Sequence, residues 1–409
     1  MLLLAAVSAL AVFAQEPTPG NRAVGIRWPK EQANQWYAGQ PWLVGCNFIP
    51  STAVNQLEMW QADTFDPATV DRELKWASGL GFNTVRAFLH DLAWKADAEG
   101  FKKRVDKFLE IAARHNIKPM FVLFDDCWNA DPKIGKQPVP LPGIHNSGWL
   151  QSPGREVVNH PESWPRLERY VKDIVGTFAK DDRVLLWDLY NEPGNEGQGS
   201  KSLPLLKKIF QWAREINPTQ PLTAGVWAEM KELNDFQLVA SDVITFHNYN
   251  DAGNLAGQIA TLRKQGRPVI CTEWMRRGSS EVASHLPLFK KEHVGCYNWG
   301  LVAGKTQTIY PWGSPGGAPE PKVWFHDLLW KDGTPFSAEE ATLFRKLTEK
   351  SPAEGRMPRL RLQVVKTLSN PEIHKDSPGA EKIPVGFEGG SSVKLTFDGK
   401  PEYRRTCAR

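Results

Sequence analysis

Two glutamates pose the chemical question. Glu192 closes the stretch Val184-Leu185-Leu186-Trp187-Asp188-Leu189-Tyr190-Asn191-Glu192-Pro193, with Asp181-Asp182-Arg183 before it and Pro193-Gly194 at its end. The apolar part is too short for a helix and reads as a strand buried on both faces, which Pro193 then stops. Glu273 closes Arg267-Pro268-Val269-Ile270-Cys271-Thr272-Glu273-Trp274, which repeats the pattern. A carboxyl at the C-terminal mouth of each of two parallel strands is where barrel enzymes carry their chemistry. Such a pair suits cleavage of a glycosidic bond, one carboxyl as acid and the other as nucleophile or base. Taken alone, the Asn-Glu-Pro run reads equally well as a plain strand-to-helix turn.

The rest of the chain must position that pair. Short apolar runs at residues 41–48, 82–89, 117–124, 221–227, 242–247 and 295–299 join the two stretches above to make eight strand candidates. Helical patterns fall between them at 66–80, 101–115, 167–178 and 203–216, the first with Asp66 as N-cap and Pro67 in its first turn. Repeated strand-then-helix units of this number predict an α/β fold, a (β/α)8 TIM barrel, over residues 20–350. Residues 20–40 read as a short preface strand or loop. Residues 125–165 form a connection too long for an ordinary one in a compact domain, and so a functional one. Its Trp128, Trp149 and Trp164 either line a groove or pin the loop to the barrel. Residues 352–409 read as a C-terminal extension, a partial β module or a loosely ordered tail.

Composition narrows the classes. Net charge is +4, and residues 352–409 supply all of it, with 11 Lys+Arg against 7 Asp+Glu. A neutral body gives no reason to expect nucleic acid or an anionic membrane as partner. The five cysteines do not make a disulfide framework, and Cys46, Cys271 and Cys296 fall in strand candidates as small core residues. No zinc spacing or glycine-rich phosphate loop is present, so neither metal nor organic cofactor is expected. The 17 tryptophans stand against roughly 5 at ordinary usage, which suits a dense core or stacking on sugar rings. Residues 1–14 are an apolar run followed by Gln15-Glu16-Pro17, read as a signal peptide of a secreted or periplasmic protein.

Further residues fall in order along the strands: Arg86 on the second, His247 and Tyr249 after the sixth, Trp299 on the eighth. With Asn191-Glu192-Pro193 and Glu273 they resemble the cellulase-type glycoside hydrolase family 5, or a close neighbour in its clan of retaining barrels, over residues 41–330. The resemblance implies Glu192 as general acid/base and Glu273 as nucleophile, with carboxyls about 5–5.5 Å apart for retention and roughly 6.5–9.5 Å for inversion. It implies that Asn191 bonds the sugar 2-hydroxyl and that Arg86 and Tyr249 hold Glu273 ionised. His247 would bond the acid/base or the substrate, and Trp299 would be the stacking floor for the cleaved sugar.

The chain departs from the family after strand three. A histidine is usual there, and this sequence has Asp125-Asp126-Cys127-Trp128. The acidic pair is a candidate to bind sugar hydroxyls, and His90-Asp91 to share that role. Lys305 and Gln307 are candidates to reach the cleft. The expected protein is a retaining hydrolase of a β-linked oligo- or polysaccharide. The alternatives are a carbohydrate-binding barrel without turnover, or a transglycosylase using the same residues.

Overall fold

The computed structural model describes residues 26–349 and two short strands at 361–364 and 393–396. The leader at 1–14 and all of the 352–409 extension but those two strands lie outside the described residues. Eight parallel strands run β1 (Val44–Phe48), β2 (Thr84–Phe88), β3 (Lys118–Val122), β4 (Leu186–Asp188), β5 (Leu222–Thr223), β6 (Ile244–His247), β7 (Val269–Trp274) and β8 (Gly295–Trp299). Neighbours follow the order β5-β4-β3-β2-β1-β8-β7-β6. The remaining seam closes where Val226 N donates to Thr245 O at 3.0 Å and His247 N to Val226 O at 3.0 Å. With helices between the strands, this is a (β/α)8 TIM barrel.

Side chains alternate across the wall. Val44, Cys46 and Phe48 point outward into the core shared with the helices, and Asn47 points inward. Gly45 lies so close to β2 that a Cβ there would sit 2.1 Å from Thr84 O, which leaves room only for glycine. The helix Ala98–Arg114 shows how the outer layer is held. Asp97 caps it by accepting from Gly100 N, and it buries Phe101, Val105, Phe108, Leu109 and Ile111 on one face. Each such side chain contributes about 1.5–3 kcal/mol. The helix Pro67–Gly79 starts as read, with Asp66 accepting from Thr69 N and Pro67 at its first position.

The structure corrects several boundaries. Residues 30–38 are a helix, Lys30–Ala38, not a preface strand or loop. Ala33 and Tyr37, four apart, share its buried face, and the Tyr37 hydroxyl donates to His293 O and accepts from Gly295 N. The Tyr37 ring packs with Leu43, Met120, Ile270 and Tyr297 and so plugs the bottom of the barrel. β4 and β5 are shorter than the apolar runs that mark them, because those runs bury residues beyond the ladder. At Ala224 the amide turns to Ser241 Oγ at 3.2 Å, and the ladder resumes only at Val226.

The chain divides into two compact units after Thr348. In the second, Arg361–Val364 pairs antiparallel with Val393–Thr396. Among the described residues no helix is long and apolar enough to cross a membrane.

Candidate active site

Glu273 owes its direction to a bulge. Phe246 pairs with Cys271 but His247 pairs with Glu273, so Thr272 is an extra residue on β7. The β8 side agrees, with Cys271 opposite Cys296 and Trp274 opposite Asn298. Cys271 and Trp274 pack outward into the helix-side core. Strict alternation would send Glu273 outward with Cys271. The bulge turns it into the mouth of the barrel, a common use of bulges beside active sites.

Beneath it Arg86 is buried and uses all five N–H groups. Nε and Nη2 donate to Asp188 Oδ2 at 3.0 and 2.8 Å. Nη1 reaches Asn47 Oδ1 at 2.8 Å and Glu273 Oε1 at 2.9 Å, and Nη2 also reaches Asn191 Oδ1 at 2.6 Å. Burial alone would pull the Arg86 pKa down, but Asp188 and Glu273 outweigh it and raise it. On its other oxygen Glu273 accepts from the Tyr249 hydroxyl at 2.8 Å.

Glu192 sits past the end of β4 with φ +42°, a left-handed backbone that a glutamate adopts only where its surroundings impose it. Oε1 lies 2.7 Å from His247 Nδ1. Oε2 accepts from Asn195 Nδ2 at 2.6 Å and from the Cys127 thiol at 3.2 Å. Burial holds the His247 pKa down to about 4, so the ring is neutral and a single proton lies on the line to Glu192. His247 Nδ1 is also 3.5 Å from Glu273 Oε2. One oxygen of each glutamate and a nitrogen of His247 lie within 4.8 Å of one another. That trio has the donor types of a cation site, yet Arg86, Tyr249 and Asn195 already hold it in place.

Burial is the leading influence on both carboxyls and pushes both pKa values up. Only Glu273 touches a cation, and it also takes the phenol of Tyr249. Glu192 meets neutral donors. The contacts thus favour the ionised form more at Glu273 than at Glu192.

The acidic pair after β3 does not face the cleft. Asp125 is 2% exposed and accepts from Trp149 Nε1 at 2.8 Å and Asn191 Nδ2 at 3.0 Å. Asp126 is wholly buried and takes the Tyr190 hydroxyl, Gly194 N and Ser202 Oγ. The pair thus anchors the turn that carries Asn191 and Glu192, and the reading of it as a ligand for sugar hydroxyls is corrected. His90 and Asp91 are likewise fully buried, bonding Gln151 O, Leu92 N, Ser152 and Arg166. Asn191 lines the cleft, but both amide hydrogens already meet Asp125 and the Cys127 sulfur, the latter at 3.3 Å. A sugar hydroxyl would have to displace the weak thiol acceptor.

The cleft encloses about 430 Å³, with Trp128, Trp149 and Trp299 among its walls. Trp128, at φ +70°, stacks on His145. Trp164 is elsewhere, packed into the helix-side core with its N–H on Val157 O. Lys305 pairs with Glu58, and Gln307 bonds the backbone of Leu141, Gly143 and Ile144, so both tie loops together outside the cleft. Sequence reasoning missed Cys127 as a contact of Glu192, and Asn195, whose signal was its place one turn after Glu192. It also missed Trp227, Arg276 and Trp312 on the rim, which no local pattern marks.

The family model for cellulase (glycosyl hydrolase family 5) matches residues 51–304, well over half of the chain. No curated protein matches the sequence. Among solved structures, a GH5_18 variant from Streptomyces cattleya in complex with Manβ1-4GlcNAc is similar with a TM-score of 0.54 at 13% identity, covering 76% of this chain and 82% of its own. An exo-β-1,4-mannosidase from Opitutaceae bacterium strain TAV5 gives 0.53 at 18% identity, over 75% of this chain and 59% of its own. The endo-β-1,4-mannanase of Thermotoga petrophila gives 0.52 at 13% identity, over 80% and 81%. At these identities the structures establish a shared fold.

Proposed function

Since the chain belongs to the cellulase family, glycosyl hydrolase family 5, we propose that Glu192 and Glu273 form its catalytic pair and cleave a β-linked glycan with retention. The protein is a glycosidase acting on O-glycosyl compounds. The observation that carries the proposal is the spacing of the pair, with one oxygen of each carboxyl within 4.8 Å of the other. That is close to the roughly 5–5.5 Å of double displacement and leaves no room for the water an inverting enzyme needs between its carboxyls.

In this reading Glu273, ionised beside Arg86, attacks the anomeric carbon. Glu192 gives its proton to the leaving oxygen and then takes one from water. His247 keeps Glu192 aimed, and Trp299 underlies the ring of the attacked sugar. The β configuration rests on neighbours whose names carry β-1,4 linkages. The apolar residues 1–14 support export from the cytoplasm.

The test is hydrolysis of aryl β-glycosides and soluble β-glycans by wild type and by Glu273→Gln, with the anomer of the first product read by NMR. A β product lost in the variant is expected. An α first product would overturn retention, and glycan binding without any product would favour a binding barrel.

A further inference from the structure

We propose that the enzyme removes one sugar at a time from the non-reducing end of its glycan. The proposal rests on the catalytic assignment above and concerns the shape of the same site. Glu192 protonates the leaving oxygen, so the departing part of the glycan lies on its side, where half-buried Trp227 and exposed Glu196 form a rim. The sugar attacked by Glu273 lies over Trp299. Any further sugar on its far end must pass Trp299 toward β1 and β2.

That path is built shut. Trp149, 2% exposed, stands edge-on to Trp299 at 5.6 Å and to Phe88 at 5.1 Å. Its N–H is pinned to Asp125 at 2.8 Å. Beside it Asn146 N donates to Thr306 O at 2.8 Å, so the connection after β3 meets the connection after β8. Gln307 strengthens that clasp through Gly143 N at 3.0 Å and Leu141 O at 2.7 Å. Lys305 N then bonds Ser51 O at 3.1 Å and fastens the β8 connection over the end of β1. Behind this wall a void of only about 10 Å³ remains, at the lower limit for a single water.

The wall also has a polar point to read. Asn146 lines both the cleft and that void, is 1% exposed, and its Oδ1 has no hydrogen-bond partner among the described residues. An unmatched buried acceptor is costly, and a turn of the Asn146 side chain toward the cleft it lines would let a free hydroxyl at the far end of a terminal sugar satisfy it. A chain continuing from that hydroxyl would not.

Paired 4-nitrophenyl β-glycosides of one and of two sugars, in the manno, gluco and xylo series, test this. The monosaccharide should release nitrophenol at once. The disaccharide should release it only after a lag, passing through a free sugar and the aryl monosaccharide. Nitrophenol and intact disaccharide in the first turnover would overturn the proposal while leaving the catalytic assignment standing. No turnover of either substrate in any series would remove both. As a second measurement, Asn146→Ala should raise KM for the aryl monosaccharide by about tenfold with kcat little changed, as loss of one hydrogen bond of ~1.4 kcal/mol predicts. An unchanged KM would count against Asn146 as the reader of the terminal hydroxyl.

Discussion

Arg86 Nη1 lies 2.9 Å from Glu273 Oε1, and this contact is one of five that occupy every N–H of the guanidinium. Asp188, fully buried, faces the same cation through Oδ2. The charge at the centre of the barrel is therefore shared by one cation and two carboxyls.

Replacing Arg86 by Met would leave both carboxyls buried without their cation. We expect a loss of about 3–5 kcal/mol, the usual cost of breaking a buried pair by removing one partner. Urea denaturation at neutral pH measures it. An unchanged midpoint would mean that the carboxyls are already protonated.

Glu192→Gln and Glu273→Gln should differ by leaving group. Removing the nucleophile should cost roughly 10³-fold or more on every substrate. Removing the acid should cost much less for a good leaving group such as dinitrophenol than for a sugar, because a good leaving group needs no proton. Equal losses on both substrate types would reverse or void the assignment.

Cys127 should act on the pH profile. Burial pushes the Glu192 pKa up, and the thiol contact at 3.2 Å opposes this by donating to the carboxylate. In Cys127→Ala the acid should hold its proton further, and the alkaline limb of kcat/KM should move to higher pH. Cys127→Ser keeps a donor and should leave the limb near its wild-type position. Superimposable profiles for wild type and the Ala variant would reduce the thiol to packing.

Glu73 offers a test of stability against pH. It is fully buried, and burial raises its pKa to about 7 from 4.5, although Ser51 N and Oγ both donate to it. The folded value lies above the unfolded one, so this stabilisation is complete below pH 4.5 and is lost as pH rises through 7. A shift of that size amounts to about 3 kcal/mol. Denaturation midpoints of wild type and Glu73→Gln should diverge between those limits, and parallel curves would contradict the shift.

Much of this site was legible in the chain. Glu192 and Glu273 stood out as a pair, because two β-rich apolar runs each end in a glutamate, whereas either run alone reads as a plain turn. His247 and Tyr249 came from the family resemblance, and their spacing agreed with it, since residues two apart on an extended strand share a face. Asp125 and Asp126 were misread for a related reason. A sequence shows that two carboxyls adjoin a strand end, but not that the turn carrying Glu192 folds back over them and takes up their lone pairs. Cys127 went unread because a thiol beside a strand is usually core, and only its distance to Glu192 says otherwise.

By itself the sequence determined the barrel and marked Glu192 and Glu273 as the candidate pair, because hydrophobic period and strand-end chemistry are local properties of neighbouring residues. The tertiary structure decided the rest. The Thr272 bulge that turns Glu273 inward depends on register with β6 and β8. The five bonds of Arg86 join residues from several strands around the barrel. The wall at Asn146 and Thr306 joins loops 160 residues apart in the chain. Such contacts depend on which distant groups meet, and that is settled only when the barrel closes.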